Sequence, residues 1–432
     1  MAVYETGAMW STTHPSGQRD YYEQMLLDTL RTQSILVPFT TMKEDFRARD
    51  TGTIIFSEVY DTDPNYNALS ETGIWLTGSY LDSRSVQIGL EIHGDVLKMS
   101  DYNELVNFWN NGDLRGLVRG KLGQNQVDYL DILARNAFLS VDDSYKIFTG
   151  TASADRFDVA QVDVFDPDLA ELVRVHLEER EIPGVVQVAD SPGQVVVCAT
   201  TPRVIYDIRT AASSGNADSW LEVQEYEQTG RKFTAEAGMW AGVRFVRTNR
   251  LKLFNAGVSV LETTIPTGGD TVVGQGAAAT VDTVYSVGQS GATAYIDVAD
   301  STGFVVGDVV TICVGGDDGA GGHPAEESDG TQETRRIIAV DSGGANRLSF
   351  DKPLLKPHAA GAYVVNGVDI SASIFMGGPA VVYGVGERPH PTMPPKIDDL
   401  QMVQRYGWRG FLKFQIFRPE WLEIVESGGS VT

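Results

Sequence analysis

Cysteine, histidine and positive charge are scarce in this chain of 432 residues, and so are long apolar runs. Each shortage removes a class of protein. Two cysteines, Cys198 and Cys313, cannot build a disulfide framework. Both lie in apolar strand-like runs, VVVCAT and VVTICV, which predicts buried free thiols. The six histidines are scattered as His14, His93, His176, His323, His358 and His390. None falls in an H-E-x-x-H or H-x-H spacing, so a histidine metal site is not expected. Lys and Arg number 34 against 58 Asp and Glu, a net charge of −24. Gripping phosphates over a broad surface needs clustered cations, so nucleic acid is not expected as a ligand of that kind. No apolar run approaches the ~20 residues of a membrane span. The N-terminal MAVYETGAMWSTTHPSGQRDYYEQ has no basic stretch followed by an apolar core. No secretory leader is therefore expected, and the chain reads as made in a cytoplasm and soluble there.

Catalytic motifs are missing too. There is no G-x-S-x-G nucleophile turn and no G-x-x-x-x-G-K-[ST] phosphate loop. Among 58 acids nothing singles out a pair for glycoside hydrolysis. The loop GGDDGAGGHPAEESDG, within 315–330, carries Asp317, Asp318, Glu326, Glu327 and Asp329, oxygen ligands of the kind calcium takes. Their spacing fits no known loop, and a solvated Gly-rich loop is the expectation. No catalytic, cofactor-binding or metal-ligating residue is assigned.

What the chain does have is enough apolar residues for real cores, 42%, spread over a length that suits two or three domains. Residues 1–49 read as an arm, in which SILVPF, broken by Pro38, suits an extended segment laid on another surface. Residues 50–100 read as a long two-stranded β excursion, which needs a partner surface. A helical region begins at Asp101, capped with Glu104 three residues on, and continues with one or two breaks to Phe138. In DPDLAELVRVHLEERE, Asp166 caps and Pro167 takes the first turn. Leu169, Leu172, Val173, His176 and Leu177 make its expected apolar stripe, with His176 a packing or interface residue. After the strand QVVVCA, Thr201 and Pro202 open a helix with Val204, Ile205 and Ile208 on its apolar side, and DSWLEVQEYEQ reads as a shorter one.

From 266 to 365 helical patterns vanish. TVDTVYSV, TAYIDVA, VGDVVTICV, TRRIIAVD and NRLSFD read as short strands between turn clusters, the size of a small all-β barrel or sandwich inserted into an α+β chain. The flanking residues 366–432 return to strands, ending in GFLKFQIFRPEWLEIV, an alternating pair with Pro419 at its turn.

The stretch EAGMWAGVRFVRTNR, residues 236–250, has the glycine spacing of a phosphate cradle but not its context. A dinucleotide fingerprint opens a helix after its glycines. Here Val243, Arg244, Phe245 and Arg247 alternate as a strand. Gly238 and Gly242 then read as a tight corner, and Arg244, Arg247 and Arg250 as partners for acidic neighbours.

These residues resemble a family of major capsid proteins of tailed bacteriophages, those related to the capsid protein of a podovirus group infecting enterobacteria. Gly238, Gly242, Val243, Arg244, Phe245, Val246, Thr248 and Asn249 match its Gly-rich turn and strand. Pro202, Tyr206, Asp207 and Arg209 match a second run, with Ile208 in place of Leu. Thr201 stands where a His is frequent, and Arg247 where an acid is expected. The resemblance covers most of residues 30–265 and 366–432 and leaves out 266–365.

It implies the tailed-phage major capsid fold. That fold has an N-terminal arm (1–49), an extended β-loop (50–100), a peripheral domain with a spine helix (101–195) and an axial domain (196–265, returning at 366–432 with C-terminal peripheral strands). The inserted β-domain occupies 266–365. The implied function is self-assembly into pentamers and hexamers of an icosahedral head. The implied partners are the chain itself, a portal, scaffolding or decoration proteins, and double-stranded DNA loosely enclosed, with no membrane. Location in the virion after assembly in the host cytoplasm follows, and so do arms that bury their apolar surface on neighbouring subunits. No residue matches a Lys–Asn crosslink. The rival readings are a surface-displayed carbohydrate-binding or adhesion protein, and an acidic hydrolase.

Overall fold

The computed structural model describes residues 34–44, 52–59, 82–100, 114–150, 156–183, 196–215, 235–266, 294–313, 333–341, 346–351, 354, 358, 361–392 and 403–429. In chain order the strands begin β1 (Thr41–Glu44), β2 (Thr53–Val59), β3 (Ser83–Gly89), β4 (Glu91–Ser100), β5 (Lys146–Phe148), β6 (Val196–Thr200), β7 (Glu236–Trp240), β8 (Val243–Arg247), β9 (Lys252–Leu253) and β10 (Ser259–Thr264). They continue as β11 (Ala294–Asp297), β12 (Val309–Cys313), β13 (Glu333–Asp341), β14 (Arg347–Phe350), β15 (Tyr363–Gly367), β16 (Ile370–Met376), β17 (Val381–Thr392), β18 (Val403–Ile416) and β19 (Leu422–Ser427). The helices are α1 (Leu114–Leu139), α2 (Pro167–Glu179) and α3 (Pro202–Gly215).

These elements form two compact units. One holds Met1–Phe39, Arg135–Ala380 and Arg418–Thr432, and the other holds Thr40–Ala134 and Val381–Phe417. The division falls inside α1 and so cuts across the sequence boundaries set at 101 and 195.

In the second unit β1, β17, β18 and β4 form a four-stranded sheet in that order. β18 runs antiparallel to both β17 and β4, while β1 is parallel to β17. A Cβ at Gly94 would meet the Trp408 carbonyl oxygen at 2.5 Å, so the β4–β18 pair closes around a residue without a side chain. Leu122 and Tyr129 of α1 pack on Tyr406 and Trp408, and Asn125 Oδ1 accepts from Trp408 Nε1 at 3.0 Å. α1 runs for 26 residues, about 39 Å at 1.5 Å per residue, and begins directly after NNGD, the break expected from the sequence, which lies outside the described residues; a second break between Leu122 and Leu130 does not occur. Gly120 and Gly123 cost helix propensity but do not stop it, and Leu122 just beside them is docked on Tyr406 and Trp408. The onset predicted at Asp101 lies outside the described residues.

β2 and β3 pair antiparallel as the excursion predicts, but its expected returning half divides at Leu90, and β4 joins β18 in the four-stranded sheet instead. One face of this hairpin, Ile54, Phe56, Val86 and Ile88, packs on Val382 and Phe417 of its own unit. Only the other face, with Ile55 and Val59, is open. The sequence reading that such elements bury themselves on neighbours is corrected on this point. The same holds for SILVPF: Val37–Phe39 is a 3-10 turn, and Ile35, Leu36 and Phe39 are already buried within the chain.

The first unit contains a seven-stranded sheet, β5-β19-β16-β6-β8-β7, with β9 beside β16. α2 and α3 pack on it through Ala170, Val173, Leu177, Val204 and Ile208, which meet Cys198, Trp240, Phe245, Phe375 and Val425. Phe375 lies between Phe165 and Phe245, with ring centroids 6.3 and 6.4 Å away. The expected stripe of α2 is thus rotated: Ala170 replaces Leu172, which is 47% exposed. Ala is small enough for the helix to approach the sheet closely, and Leu172, one position round, points off it. Asp166 caps as expected, its carboxylate accepting from the Asp168 N–H at 3.2 Å. The helix predicted over DSWLEVQEYEQ lies outside the described residues.

The C-terminal pair predicted around Pro419 is not a hairpin. β18 belongs to the four-stranded sheet and β19 to the seven-stranded one, with a 3-10 turn at Pro419–Trp421 between them. β16 and β17 likewise enter different sheets although only Gly377–Ala380 separates them. Alternation marks each strand; it carries no information about the partner.

Six further strands in the order β10-β15-β12-β13-β14-β11 enclose a cluster that includes Ile296, Phe304, Val310, Ile312, Ile337, Leu348 and Val364. The Ala299 N–H, just past β11, donates to the Thr264 carbonyl of β10 at 2.8 Å. The two edges of the sheet thus meet, giving a partly closed all-β barrel. It recruits Ser259–Thr264 and Tyr363–Gly367, a few residues beyond each expected boundary, and their antiparallel pairing brings entry and exit together. The run TVDTVYSV lies outside the described residues.

Candidate functional site

The stretch 236–250 is a β-hairpin. Trp240 pairs with Val243, leaving Ala241 and Gly242 as a two-residue turn with φ of 46° and 80°. Positive φ at both positions is what a tight I′ turn requires. Arg174 of α2 donates from Nη1 to the Ala241 carbonyl and from Nε to Glu178 Oε1 at 2.6 Å. A Cβ on Gly242 would lie 2.5 Å from that Nη1. β8 follows, parallel to β6, and no helix begins at the glycines. Arg244 Nε lies 4.0 Å from Glu236 Oε1, an acidic neighbour of the expected kind. The Arg250 carbonyl accepts from Arg135 Nη1 at 3.2 Å, and Arg247 is exposed at the end of β8.

Beside the hairpin, the sheet interior holds charges that the sequence reading missed. Glu426 of β19 is fully buried and takes two 2.6 Å hydrogen bonds from Arg156 Nε and Nη2. Glu423, on the other face of β19, is buried too; His176 Nδ1 lies 3.0 Å from its Oε1 and Arg180 Nη1 3.2 Å from its Oε2. β19 is buried along its whole length, an inner strand between β16 and β5, so neither acid reaches solvent. Hydroxyls are matched in the same way: Thr200 with Ser373 at 2.6 Å, and Thr201 with Ser371 at 2.9 Å. Bidentate pairing offsets the desolvation of Glu426 and fixes the geometry. In these pairs the carboxylates meet guanidinium or imidazole groups and the hydroxyls meet one another, an arrangement suited to holding strands in place.

A second polar centre fixes the root of the barrel. Asn255, in the left-handed region at φ 53°, donates from Nδ2 to the Val309 carbonyl and to Thr311 Oγ1, both at 3.0 Å. Its N–H donates to Asp369 Oδ1 at 3.1 Å, and Lys252 Nζ lies 2.6 Å from Asp369 Oδ2.

The histidines do not converge. His93 on β4 lies 3.0 Å from Tyr129 Oη, His358 is buried 3.9 Å from Glu333, and His390 is 3.5 Å from Glu387. His14, His323 and the acidic loop with Asp317, Asp318, Glu326, Glu327 and Asp329 lie outside the described residues. Among the described residues no three His, Cys, Asp or Glu side chains gather as a metal group would require. No helix among them is long and apolar enough to cross a membrane. Cys198 is a buried free thiol, and burial pushes its pKa well up. Cys313 ends β12.

No protein-family model matches the sequence, and neither does any curated protein. Solved structures do. The capsid of Ralstonia phage GP4 is similar at a TM-score of 0.53 and 11% identity, over 91% of this chain and 88% of that one. The capsid of cyanophage Pam1 gives 0.49 and 10%, over 91% and 90%. The capsid of cyanophage P-SCSP1u gives 0.48 and 13%, over 93% and 90%. The α+β chain therefore has the tailed-phage major capsid fold.

Proposed function

We propose that this chain is a major capsid protein, which assembles through itself into pentamers and hexamers that close the icosahedral head of a tailed phage around double-stranded DNA. The observation that carries the reading is the fold, shared with the GP4 capsid over nearly the whole of both chains. In this reading the hairpin β2–β3 is the extended loop and α1 the spine. The four-stranded sheet belongs to the peripheral domain, and the seven-stranded sheet with α2 and α3 is axial. The net charge of −24 repels packaged DNA, which suits enclosure without gripping. A shell subunit needs no catalytic group, in keeping with polar clusters that pair strand to strand.

The barrel between β10 and β15 stands as an insertion, hydrogen-bonded at its root through Asn255 to Val309 and Asp369, for bridging capsomers or engaging decoration proteins or a host surface. A portal and scaffolding proteins are the further partners this role entails. The test is electron microscopy of the purified protein after self-association. Closed shells or ring-shaped capsomers support the proposal; strictly single subunits at high concentration overturn it.

A further inference from the structure

Where β6 gives way to α3, the chain gathers hydrogen-bond donors that its own groups leave unused. β6 and β8 are parallel neighbours, and only Thr201 separates β6 from α3, so the helix opens at the carboxyl ends of both strands. Helices that open at such ends are the usual cradle for anions. The first bond of α3 runs from the Ile205 N–H to the Thr201 carbonyl at 3.3 Å. Pro202 has no N–H, and among the described residues nothing accepts from the N–H groups of Arg203 and Val204. Thr201 stands at the cap position but donates its hydroxyl to Ser371 Oγ, 2.9 Å away. The first turn carries no acid.

A helix N-terminus alone is commonplace; here a buried hydroxyl faces it. Ser427 is fully buried, and its Oγ has no hydrogen-bond partner among the described residues. Ser427 stands opposite Ser371 in the β16–β19 ladder, so both side chains leave the face of the sheet that meets Thr201. Two residues on, a Cβ at Gly429 would lie 2.4 Å from Arg203 Cδ, which sets this face against the first turn of α3. Two guanidinium groups stand at the same place. Arg203 is exposed, its stem beside Gly429. Arg247 is exposed too, and it lies in register with Thr200 on that face. Neither has a carboxylate partner among the described residues. The acid next to Ser427, Glu426, leaves the opposite face and is held by Arg156.

We propose that the first turn of α3, with Arg203, Arg247 and Ser427, binds a small free oxyanion of the phosphate type. The N–H groups of Arg203 and Val204 and the Ser427 hydroxyl donate to its oxygens, and the two guanidinium groups balance its charge. A net charge of −24 opposes a long polyanion, whose further phosphates would run over acidic surface, and so favours a single ion. The proposal holds whether or not the chain builds a shell.

The test is titration of the full chain with sodium phosphate against sodium chloride at equal ionic strength, read by melting temperature and by the phosphorus NMR line width. Phosphate should raise the melting temperature progressively and broaden its own resonance; chloride should do neither. Arg203→Gln, Arg247→Gln and Ser427→Ala should each weaken the apparent affinity ~10-fold. Ser427→Ala also separates binding from a structural role. In chloride it should melt at or above the wild-type temperature, because it removes a buried hydroxyl that lacks a partner. If the wild type shows no phosphate effect, or if any of the three variants binds phosphate as tightly as the wild type, the site is wrong. Displacement of phosphate by a short oligothymidylate would overturn the assignment to a free ion.

Discussion

At Gly242 two demands fall on one residue: a φ of 80° and room for the Arg174 guanidinium. Gly242→Ala should therefore cost about 1–3 kcal/mol, read as a lower urea midpoint with an unchanged slope. The glycine was legible in the sequence as a corner; Arg174, 68 positions upstream, was not, because nothing local announces a contact so distant. The buried pair of Arg156 and Glu426 makes a larger prediction. Arg156→Met strands a carboxylate in the sheet interior and should cost about 3–5 kcal/mol. Adding Glu426→Leu should recover most of that loss, and a double-mutant cycle in urea checks it. Recovery in the double variant marks the pair as fixing geometry; continued loss would mean that its net stabilisation is real. Cys198, with its thiol pKa raised by complete burial, should resist alkylation in the native protein and react only on unfolding, as mass shift against denaturant would show.

Elements were read more reliably than their partners. α2, α3, β6, β8 and the barrel strands β11 to β14 follow periodicity and capping. The partners of β18 and β19 do not, because alternation is the same whichever sheet a strand joins. The α2 stripe failed for a related reason: with apolar residues at 169, 170, 172, 173, 175 and 177, periodicity fits two faces, and only the sheet chooses Ala170 over Leu172. The barrel offers a test at this scale. Thr264 and Tyr363 are paired, so replacing 265–362 by Asn-Gly should close β10 on β15 as a hairpin. The shortened chain should fold and keep Cys198 protected from alkylation; exposure of that thiol would show that the barrel is part of the core.

β4 and α1 supply a pH dependence. Burial holds His93 below its ordinary value of 6.5; Glu91 opposes this and Lys413 adds to it, and Tyr129 Oη, itself facing Glu91 and Asp95, lies 3.0 Å from its Nδ1. The unfolded chain then takes the proton first. Stability is fully present above about pH 6.5 and falls as the pH drops toward the lower folded value. The melting temperature should decline from pH 7 to 5.5, and His93→Gln should flatten that slope.

For the whole molecule, composition spoke mainly by exclusion. Few cations argued against a nucleic-acid grip, and scattered histidines against a metal site, but neither says what a subunit is for. The fold class and the order of elements were legible from periodicity and from the 236–250 resemblance. The division into compact units was not, since the chain leaves and re-enters each unit and α1 belongs to both.

The most direct measurement of the central claim is mass photometry of the purified full-length chain across a concentration series. The account predicts discrete species at five and six times the mass of one chain, giving way to shell-sized particles as concentration rises. A single population at the mass of one chain throughout the series would contradict it.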